Sequence, residues 1–597
     1  MRIVALVIFI CSVIGALGTI IYTNSAEMLT KVYSFFASMG YYFLLLWLLI
    51  GLPNLIVSKI CKNEKLRILF LALNIDVIAM AMVVDLIVFS QYRFHVNAAM
   101  LDLFFHGGQT ITFTGTMWLQ LFGMVILLLL FGCGVIYWSY RIEKRVKSLK
   151  AFNYSMIGIL LITRVIYMFA MASYKIEIIA SKEYIPLFQP LQANKFIEKL
   201  GFAVNKNDIK VNSSGTRLNY PLKELVYSDN GVSHKNIIFL LTDSLRSDVL
   251  NAEVMPNTWN WAQDKCIFTN HFSCSNCTRT GIFGLFYSLP PSYWHPFFMT
   301  NTPPVFIKRL QELGYDIQAF ASAPIDHPEF TETVFASVRP IRVSSKGNSN
   351  LECDEDCIKD LKSYLEKRDE MADKRPLMLF VFFDSPHGFN FDKKLKKFEP
   401  SPDEMNYIGL SNNTDRNEIM NLYKNSVYTT DNLFAITLNL FKKHNLADDS
   451  IIVVSSDHGQ EINDSNKNFW GHNSAFNDAQ TKTALVIQWP GKEHYIENRK
   501  TTSYDIVPTI MKHEFNLTSN IADFSVGMDL FTDKLEDRKW FITGGYNTQA
   551  IKEEDRIIEI TSMGILKFLT EKYDNHPNQE RTPNIYEALQ LMSKYLR

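Results

Sequence analysis

The stretch NIIFLLTDSLR, residues 236–246, places a continuous apolar run directly before an acidic residue, Asp243. A short apolar run that ends in polar residues is typical of a strand covered on both faces of a parallel sheet. Five later runs have the same form: residues 317–320, 377–383, 450–456, 483–489 and 539–545. Helical stretches alternate with these runs, so the pattern predicts an α/β domain with a mainly parallel sheet.

Acidic residues and histidines follow three of these predicted strands. They are Asp243 after the first, Asp384 and His387 after residues 377–383, and Asp457, His458 and His472 after residues 450–456. The carboxyl ends of parallel strands meet at one edge of a sheet, and we expect these side chains to meet there. Carboxylates and imidazoles together suit one divalent cation, Zn²⁺, Mn²⁺ or Mg²⁺, which would activate an attacking hydroxyl or thiol. In the alternative interpretation, Asp243 caps a helix and residues 457–459 form a turn.

A second polar stretch, SCSNCTRTGIF at residues 273–283, contains two potential nucleophiles, Cys277 and Thr278. A thiolate beside a metal ion and Arg279 would be reactive, and a metal ion would equally activate the Thr278 hydroxyl. The sequence leaves both open, together with a purely structural interpretation in which residues 276–278 cap a helix.

Five apolar runs precede residue 175, and each has about the 19–25 residues with which a helix crosses a membrane. They are residues 3–22, 36–57, 68–92, 117–139 and 155–173. The loops 59–67 and 141–150 are the most basic, which predicts that they and the N-terminus are cytoplasmic. Everything after about residue 175 is then outside, which in a Gram-negative bacterium is the periplasm.

Two ionisable residues, Asp76 and Arg164, lie at similar depths in the third and fifth runs. Such groups need partners inside a membrane, and we expect a buried, structural Asp76–Arg164 pair rather than a proton path. With so few buried charges, a transporter is disfavoured.

The chain therefore divides into a transmembrane domain (1–174), a juxtamembrane connector (175–230) and a soluble α/β domain (231–597). The connector contains QANKFIEKLGF, residues 192–202, which predicts a short amphipathic helix on the membrane surface or on the soluble domain. The formal net charge is −1, which gives no indication of nucleic-acid binding.

Four motifs, LLTDS, SNCTRTG, SPHG and SSDHG, give residues 234–530 a resemblance to the alkaline phosphatase/sulfatase superfamily. Four more make the whole chain resemble the YejM/PbgA family of Gram-negative inner-membrane proteins. These are YRFHVN (92–97), NYPLKELVY (219–227), GIFGLFYSLPPSY (281–293) and VGMDLF (526–531). That resemblance implies five membrane helices joined to a periplasmic sulfatase-like domain. It also implies recognition of lipopolysaccharide or cardiolipin, and control of lipopolysaccharide synthesis through partner proteins in the inner membrane.

The resemblance also bears on the nucleophile. Sulfatases mature a Cys or Ser in the motif Cys-x-Pro-Ser-Arg, and Cys277 takes that position, but Arg279 replaces the Pro and Gly281 the Arg. Formylglycine is therefore not expected. Ser244 also replaces the second metal-binding Asp of sulfatases, which favours the pattern of single-metal transferases. In that pattern Asp243, Asp457 and His458 bind the metal, Thr278 or Cys277 attacks, and Arg279, His387 and His472 hold or protonate the substrate.

Five cysteines follow residue 175, in what we predict to be an oxidising compartment. We expect Cys353 to pair with Cys357 and Cys266 with Cys274, which leaves Cys277 free.

Two functional hypotheses follow. In the first, the protein recognises lipopolysaccharide or an anionic phospholipid at the inner membrane and controls outer-membrane lipid homeostasis. In the second, it is a metal-dependent phosphoryl or phosphoethanolamine transferase, or a sulfatase-like hydrolase, that acts on lipid head groups.

Overall fold

The structure is a computed structural model. It describes residues 2–23, 28–98, 100–101, 105, 114–146, 148–173, 175–191, 193–201, 217–228, 234–371, 375–532, 536–546, 548–561 and 564–597. The chain divides into two compact units, Met1–Asn97 with Gly115–Asp208, and Ala98–Thr114 with Ile209–Arg597. The connector bounds at residues 175 and 230 stay predictions.

The first unit is built from long apolar helices. They are α1 (Arg2–Tyr22), α2 (Met28–Leu46), α3 (Leu52–Ile60), α4 (Glu64–Tyr92), α5 (Gly115–Glu143) and α6 (Lys150–Ser173). A π-helical turn, Trp47–Gly51, joins α2 to α3, so that Met28–Ile60 is one apolar span. The described residues therefore contain five helical segments long and apolar enough to cross a membrane, which confirms the predicted spans.

The predicted Asp76–Arg164 pair is wrong. The Arg164 guanidinium donates a hydrogen bond to the Gln189 carbonyl and lies over the Phe188 ring, 4.5 Å from its centroid. Residues 188 and 189, which follow α6, thus supply the contacts of the Arg164 guanidinium. Oδ1 of Asp76 is buried and has no hydrogen-bond partner among the described residues. The carboxylate with partners is Asp85 instead, which accepts a hydrogen bond from the Tyr22 hydroxyl at 3.0 Å.

Two short helices follow the last span, α7 (Ile176–Ile179) and α8 (Asn194–Lys199). The second is the short helix that the connector sequence predicts. Ile197 is fully buried against Met168 and Ala172 of α6, so α8 packs on the last span.

The second unit is organised around a seven-stranded sheet. Its strands are β1 (Asn236–Thr242), β2 (Cys266–Phe268), β4 (Asp316–Ala321), β5 (Leu377–Phe383), β6 (Ser450–Ser456), β9 (Leu485–Gln488) and β10 (Tyr495–Glu497). Their order in the sheet is β10-β2-β9-β6-β1-β5-β4. All run parallel except β9, which is antiparallel to both of its neighbours. The mainly parallel sheet is thus confirmed.

Strand register decides where the polar residues lie. Thr242, the last residue of β1, is paired with Phe383 at the end of β5 and with Ser456 at the end of β6. The next residue in each strand is acidic: Asp243, Asp384 and Asp457. Three carboxylates from distant parts of the chain therefore leave the sheet side by side at one edge.

Helices cover both faces of this sheet because alternate strand residues point to opposite sides. Ile237 and Phe239 face one buried apolar cluster, and Ile238 and Leu240 face the other. The first cluster includes residues of α10 (Thr278–Tyr287), α12 (Val305–Glu312) and α16 (Ile506–His513). The second includes residues of α13 (Asn350–Asp369) and α14 (Arg416–Lys443). The other helices are α9 (Pro256–Ala262), α11 (Trp294–Thr300), α15 (Asp478–Thr481) and α17 (Pro583–Leu591).

The run 539–545 forms a strand, but its predicted place in the parallel sheet is wrong. It is β12 (Phe541–Gly544), the edge of a separate antiparallel sheet with β13 (Gln549–Lys552), β14 (Ile557–Ile560) and β15 (Leu566–Leu569). Ile585 and Ala588 of α17 are buried against that sheet, which gives it a small core of its own. Two strand pairs complete the unit: β3 (His271–Phe272) with β11 (Thr501–Thr502), and β7 (Glu461–Ile462) with β8 (Trp470–Gly471).

The two predicted disulfides are also wrong. All eight cysteines lie in the described part of the chain and each is a free thiol. Cys353 and Cys357 are four residues apart on α13, where helix geometry holds β-carbons about 5–6 Å apart, wider than the roughly 3.5–4.5 Å of a disulfide. Cys274 is instead buried against the first turns of α10, with Sγ 3.7 Å from the Thr280 carbonyl oxygen.

Candidate metal centre and active site

Asp243, Asp457 and His458 converge at the carboxyl edge of the sheet. All three are buried, and one potential ligand atom from each lies within 4.8 Å of the others. His458 Nε2 is 3.4 Å from Asp243 Oδ1 and 3.4 Å from Asp457 Oδ2. The three residues predicted to bind a metal are thus together, in an arrangement that can accept one cation.

A backbone contact fixes the tautomer of His458. Its Nδ1 lies 2.8 Å from the carbonyl oxygen of Gly459, an acceptor, so Nδ1 carries the proton and donates it. The lone pair of Nε2 then faces the two carboxylates, the orientation of a metal-binding imidazole. Burial lowers the pKa of His458, which keeps the ring neutral and able to act as a ligand.

Asp457 carries the atom that the protein leaves unsatisfied. Its Oδ1 accepts hydrogen bonds from the backbone of His458 at 2.8 Å and of Ser244 at 3.3 Å. Its Oδ2 is buried and accepts no hydrogen bond within the described residues. Burial, and next the nearby Asp243, raises the pKa of Asp457 well above its usual range. Buried carboxylates that repel each other are stabilised by a cation, so the donor set fits a divalent metal ion.

The turn after β1 is anchored by side chains from other elements. Ser244 has φ of 64°, a left-handed conformation that is uncommon for a residue other than glycine. The Tyr423 hydroxyl of α14 donates to the Ser244 carbonyl at 2.7 Å and accepts from the Arg246 amide at 3.0 Å. The Ser456 hydroxyl donates to the Thr242 carbonyl at 2.7 Å. These contacts hold Asp243 in place.

Thr278 is the first residue of α10, and its hydroxyl reaches this cluster. The Oγ1 atom donates to Asp243 Oδ2 at 3.1 Å and lies 3.3 Å from His458 Nε2. The amide groups at the start of α10 add a partial positive charge at the same point. The arrangement brings a hydroxyl, the metal-ligand atoms and a helix N-terminus together.

A glycine allows α10 to lie this close to the cluster. A β-carbon at Gly281 would lie 2.5 Å from the backbone carbonyl oxygen of Asp457, closer than two such atoms can approach. The position where a sulfatase carries arginine is therefore a contact point between the helix and the loop after β6.

Cys277 points elsewhere. It is buried, with Sγ 2.9 Å from the Thr280 hydroxyl and 3.5 Å from the Ser275 hydroxyl. Burial raises the pKa of this thiol, which disfavours the thiolate. Of the two nucleophiles left open by the sequence, geometry brings Thr278 to the cluster and places the thiol of Cys277 in a hydroxyl-lined pocket behind it.

Arg279 is held by protein groups. It donates to Glu329 Oε1 at 2.7 Å, and its guanidinium stacks over Trp294 and Tyr546, 4.5 and 4.9 Å from the ring centroids. The guanidinium charge is thus neutralised by a carboxylate, and the role of Arg279 as an anion contact stays a prediction.

His387 and His472 lie beside His458. The rings of His458 and His472 are 4.3 Å apart, and those of His472 and His387 are 5.1 Å apart, centroid to centroid. Burial is the main cause that lowers the pKa of both His387 and His472. Their positions fit the predicted contacts with substrate, and their roles stay predictions.

Sequence reasoning missed the residues that hold Asp384. Asn350 of α13 donates to Asp384 Oδ2 at 2.6 Å, and Asp354, one turn later, accepts from the Asp384 amide at 2.8 Å. Burial raises the pKa of Asp354 to about 6. Asn350 and Asp354 lie in the first two turns of α13, more than 20 residues before β5, and no motif marks them.

Two family models match the chain, one over its N-terminal part and one over its C-terminal part. A model described as a domain of unknown function (DUF3413) matches residues 4–227, and the Sulfatase model matches residues 235–514. The inner membrane protein YejM of Salmonella typhimurium is 22% identical over 581 residues, which are 95% of this chain and 91% of the relative. The chain is thus similar to YejM over nearly its whole length, and its second part matches the Sulfatase model.

Two further comparisons give similar coverage. An uncharacterized protein of Haemophilus influenzae is 24% identical over 567 residues, 92% of this chain and 87% of the relative. Among solved structures, the integral membrane lipooligosaccharide phosphoethanolamine transferase A of Neisseria meningitidis is 12% identical with a TM-score of 0.52. That likeness covers 86% of this chain and 96% of the transferase, and it concerns the fold.

Proposed function

We propose that this protein recognises the phosphorylated head group of a membrane lipid, lipopolysaccharide or an anionic phospholipid such as cardiolipin. It does so at the Gram-negative inner membrane, with a cytoplasmic N-terminus and a periplasmic C-terminal domain. Through partner proteins in the inner membrane it controls outer-membrane lipid homeostasis. The supporting observation is that one chain joins five membrane-spanning segments to a buried cluster suited to a metal ion and a phosphoryl group.

In this proposal Asp243, Asp457 and His458 hold one divalent cation, Zn²⁺, Mn²⁺ or Mg²⁺. A bound cation supplies positive charge and Lewis acidity for a phosphoryl oxygen. The unsatisfied Oδ2 of Asp457 and the lone pair of His458 Nε2, which is directed at the two carboxylates, support this assignment.

A second candidate function is supported by Thr278. Its hydroxyl already donates to Asp243, the contact that a nucleophile needs to lose its proton. In phosphoryl or phosphoethanolamine transfer, Thr278 Oγ1 bonds to phosphorus, its proton passes to Asp243, and the bond from phosphorus to the lipid oxygen breaks. His387 and His472 hold the substrate or protonate the departing oxygen. A water molecule or second head group then takes the group from Thr278.

Four variants of the full chain, purified in detergent, test both candidates. We expect Asp457→Asn to lose bound metal, measured by elemental analysis, and to weaken binding of lipopolysaccharide and cardiolipin at least tenfold. Thr278→Val should keep the metal, because threonine supplies no required ligand. Thr278→Ser, which retains a hydroxyl, is its matched control.

The readouts separate the candidates. If recognition alone operates, Thr278→Val binds lipid like the wild type and no lipid product forms. If transfer operates, the wild type forms a phosphate-ester product. Its amount falls at least 100-fold in Thr278→Val, is retained in Thr278→Ser, and is unchanged in Cys277→Ala. A metal-free wild type whose lipid binding is unaffected by Asp457→Asn would contradict both.

A further inference from the structure

A cavity of about 440 Å³ lies at the edge of the seven-stranded sheet opposite to the metal cluster. Its lining includes Asn236 at the start of β1, Pro376 directly before β5 and Asp449 directly before β6. Those strands end at the metal cluster, and a seven-residue strand is roughly 23 Å long. The cavity is therefore a separate site, of a size that suits a small ligand.

Arg368, in the last turn of α13, brings a buried positive charge to this cavity. The residue is 7% exposed, and its only hydrogen bond to a described residue runs from Nη2 to the Arg375 carbonyl at 2.7 Å. Within the described residues no carboxylate pairs with it. The carbonyl groups at the end of α13 compensate part of the charge. Most of the five N–H donors of the guanidinium are still unused, and a buried cation normally has a counter-ion.

His444 provides a second, independent indication of a ligand. It is also 7% exposed, and Nδ1 contacts Asp369 Oδ2 at 2.7 Å, which fixes the ring. Its Nε2 is buried and has no hydrogen-bond partner in the part of the chain that the structure describes. In the described part of the chain, His444 thus leaves a buried polar atom unsatisfied, and Arg368 leaves most of its N–H donors without a protein partner in the same cavity.

The charges of the lining are arranged by depth. The exposed carboxylates, Asp369 and Asp449, are at the rim, and the buried groups are Arg368 and His444. Arg375 is exposed and adds a second guanidinium. The interior therefore offers hydrogen-bond donors to an anion.

We propose that this cavity, defined by Arg368, Arg375 and His444, binds a small phosphate monoester. Guanidinium groups match the oxygen geometry of phosphate, so Arg368 and Arg375 donate to its oxygens. Nδ1 of His444 faces the Asp369 carboxylate, so Nε2 is an acceptor and takes a hydrogen bond from the hydroxyl of a singly protonated monoester. The site is distinct from the metal cluster and does not depend on it.

The test uses the full chain in detergent with EDTA, so that phosphate cannot bind through a metal at the other site. Calorimetric titration with inorganic phosphate and with glycerol 3-phosphate measures the free-solute arm. Phosphatidic acid in nanodiscs measures the same head group carried by a lipid. We expect saturable binding in at least one arm, weakened at least tenfold by Arg368→Gln and about threefold by Arg375→Ala.

Arg581→Gln, at an exposed arginine outside the lining, is the matched control and should bind like the wild type. Response in the solute arm alone identifies a soluble ligand, and response in the nanodisc arm alone identifies a lipid. An Arg368→Gln protein that melts like the wild type and keeps its affinity in every arm would overturn the proposal. If that variant does not fold, unchanged affinity in both Arg375→Ala and His444→Gln overturns it equally.

Discussion

At the scale of single residues, the absence of a side chain at Gly281 allows the hydroxyl of Thr278 to reach the metal cluster. Gly281 lets the first turn of α10 rest on the carbonyl of Asp457, and Thr278, one turn earlier, then reaches Asp243. Helix position, not the threonine side chain alone, determines that 3.1 Å contact. Glycine at position 281 therefore removes the arginine of the sulfatase motif and allows α10 to pack closely against the loop after β6.

We expect Gly281→Ala to destabilise the soluble unit by about 1–3 kcal/mol, because the new methyl group would force α10 away from a backbone oxygen. Metal affinity should fall as well, since the loop after β6 must move. Urea unfolding and metal titration in detergent measure both effects. Gly158→Ala, where an added β-carbon meets nothing within 4 Å, is the control. Equal stability of the two variants would contradict the packing argument.

His271 gives the protein a predictable sensitivity to acid. Its ring is fully buried beside the Thr501 hydroxyl, and burial lowers its pKa to about 3. The unfolded chain, with an ordinary histidine pKa of about 6.5, then binds a proton that the folded chain does not. Stability present above about pH 6.5 is therefore lost as the pH falls toward 3, by about 1.4 kcal/mol per pH unit.

Chemical unfolding of the wild type and His271→Gln across this pH range checks the effect. The variant should show a shallower loss of stability, and the difference between the two proteins isolates the one histidine. Parallel pH profiles would show that His271 is protonated in the folded protein.

At the scale of elements, long-range contacts complete helices whose own sequence lacks a cap. The helix α9 begins after Met255, whose side chain provides no cap for the first amides of the helix. Asp431 of α14, fully buried, accepts instead from the Asn257 and Thr258 amides at 2.9 and 2.8 Å. The end of one helix thus depends on the middle of another.

We expect Asp431→Asn to cost about 1–3 kcal/mol, because an amide offers one acceptor oxygen where the carboxylate offered two. Asp415 is the matched control: it caps its own helix α14 at the surface, accepting from Asn417 at 2.8 Å. Asparagine caps as well as aspartate does, so Asp415→Asn should change the unfolding free energy by only a few tenths of a kcal/mol. Similar losses in both variants would contradict the interhelix role.

The elements also show what local sequence can predict. The strands β1, β5 and β6 begin and end where the apolar runs do, because a strand buried on both faces is apolar along its whole length. The run that became β12 has the same appearance, and only tertiary pairing placed it in another sheet. In the site, the sequence predicted the residues that directly follow strands: Asp243, Asp384 and Asp457. Asn350 and Glu329, which hold Asp384 and Arg279 from helix and loop positions, were not predicted, since no periodicity marks them.

At the scale of the whole molecule, the unequal charge of the loops predicts orientation. The basic loops 59–67 and 141–150 predict a cytoplasmic N-terminus and a periplasmic C-terminal domain. A reporter enzyme active only in the periplasm should therefore work when fused after Arg597 and fail when fused after Lys62. A reporter active only in the cytoplasm should give the opposite result. Activity of the periplasmic reporter at Lys62 would reverse the orientation.

The order of strands in the large sheet has a consequence for the newly made chain. Thr242 and Ser456, at the ends of neighbouring strands, are 214 residues apart in sequence. Throughout that interval of synthesis β1 has an open side, a row of unpaired backbone groups flanked by apolar side chains, to which another chain can add. Until β6 emerges, β1 is therefore a site at which the unfinished domain can aggregate.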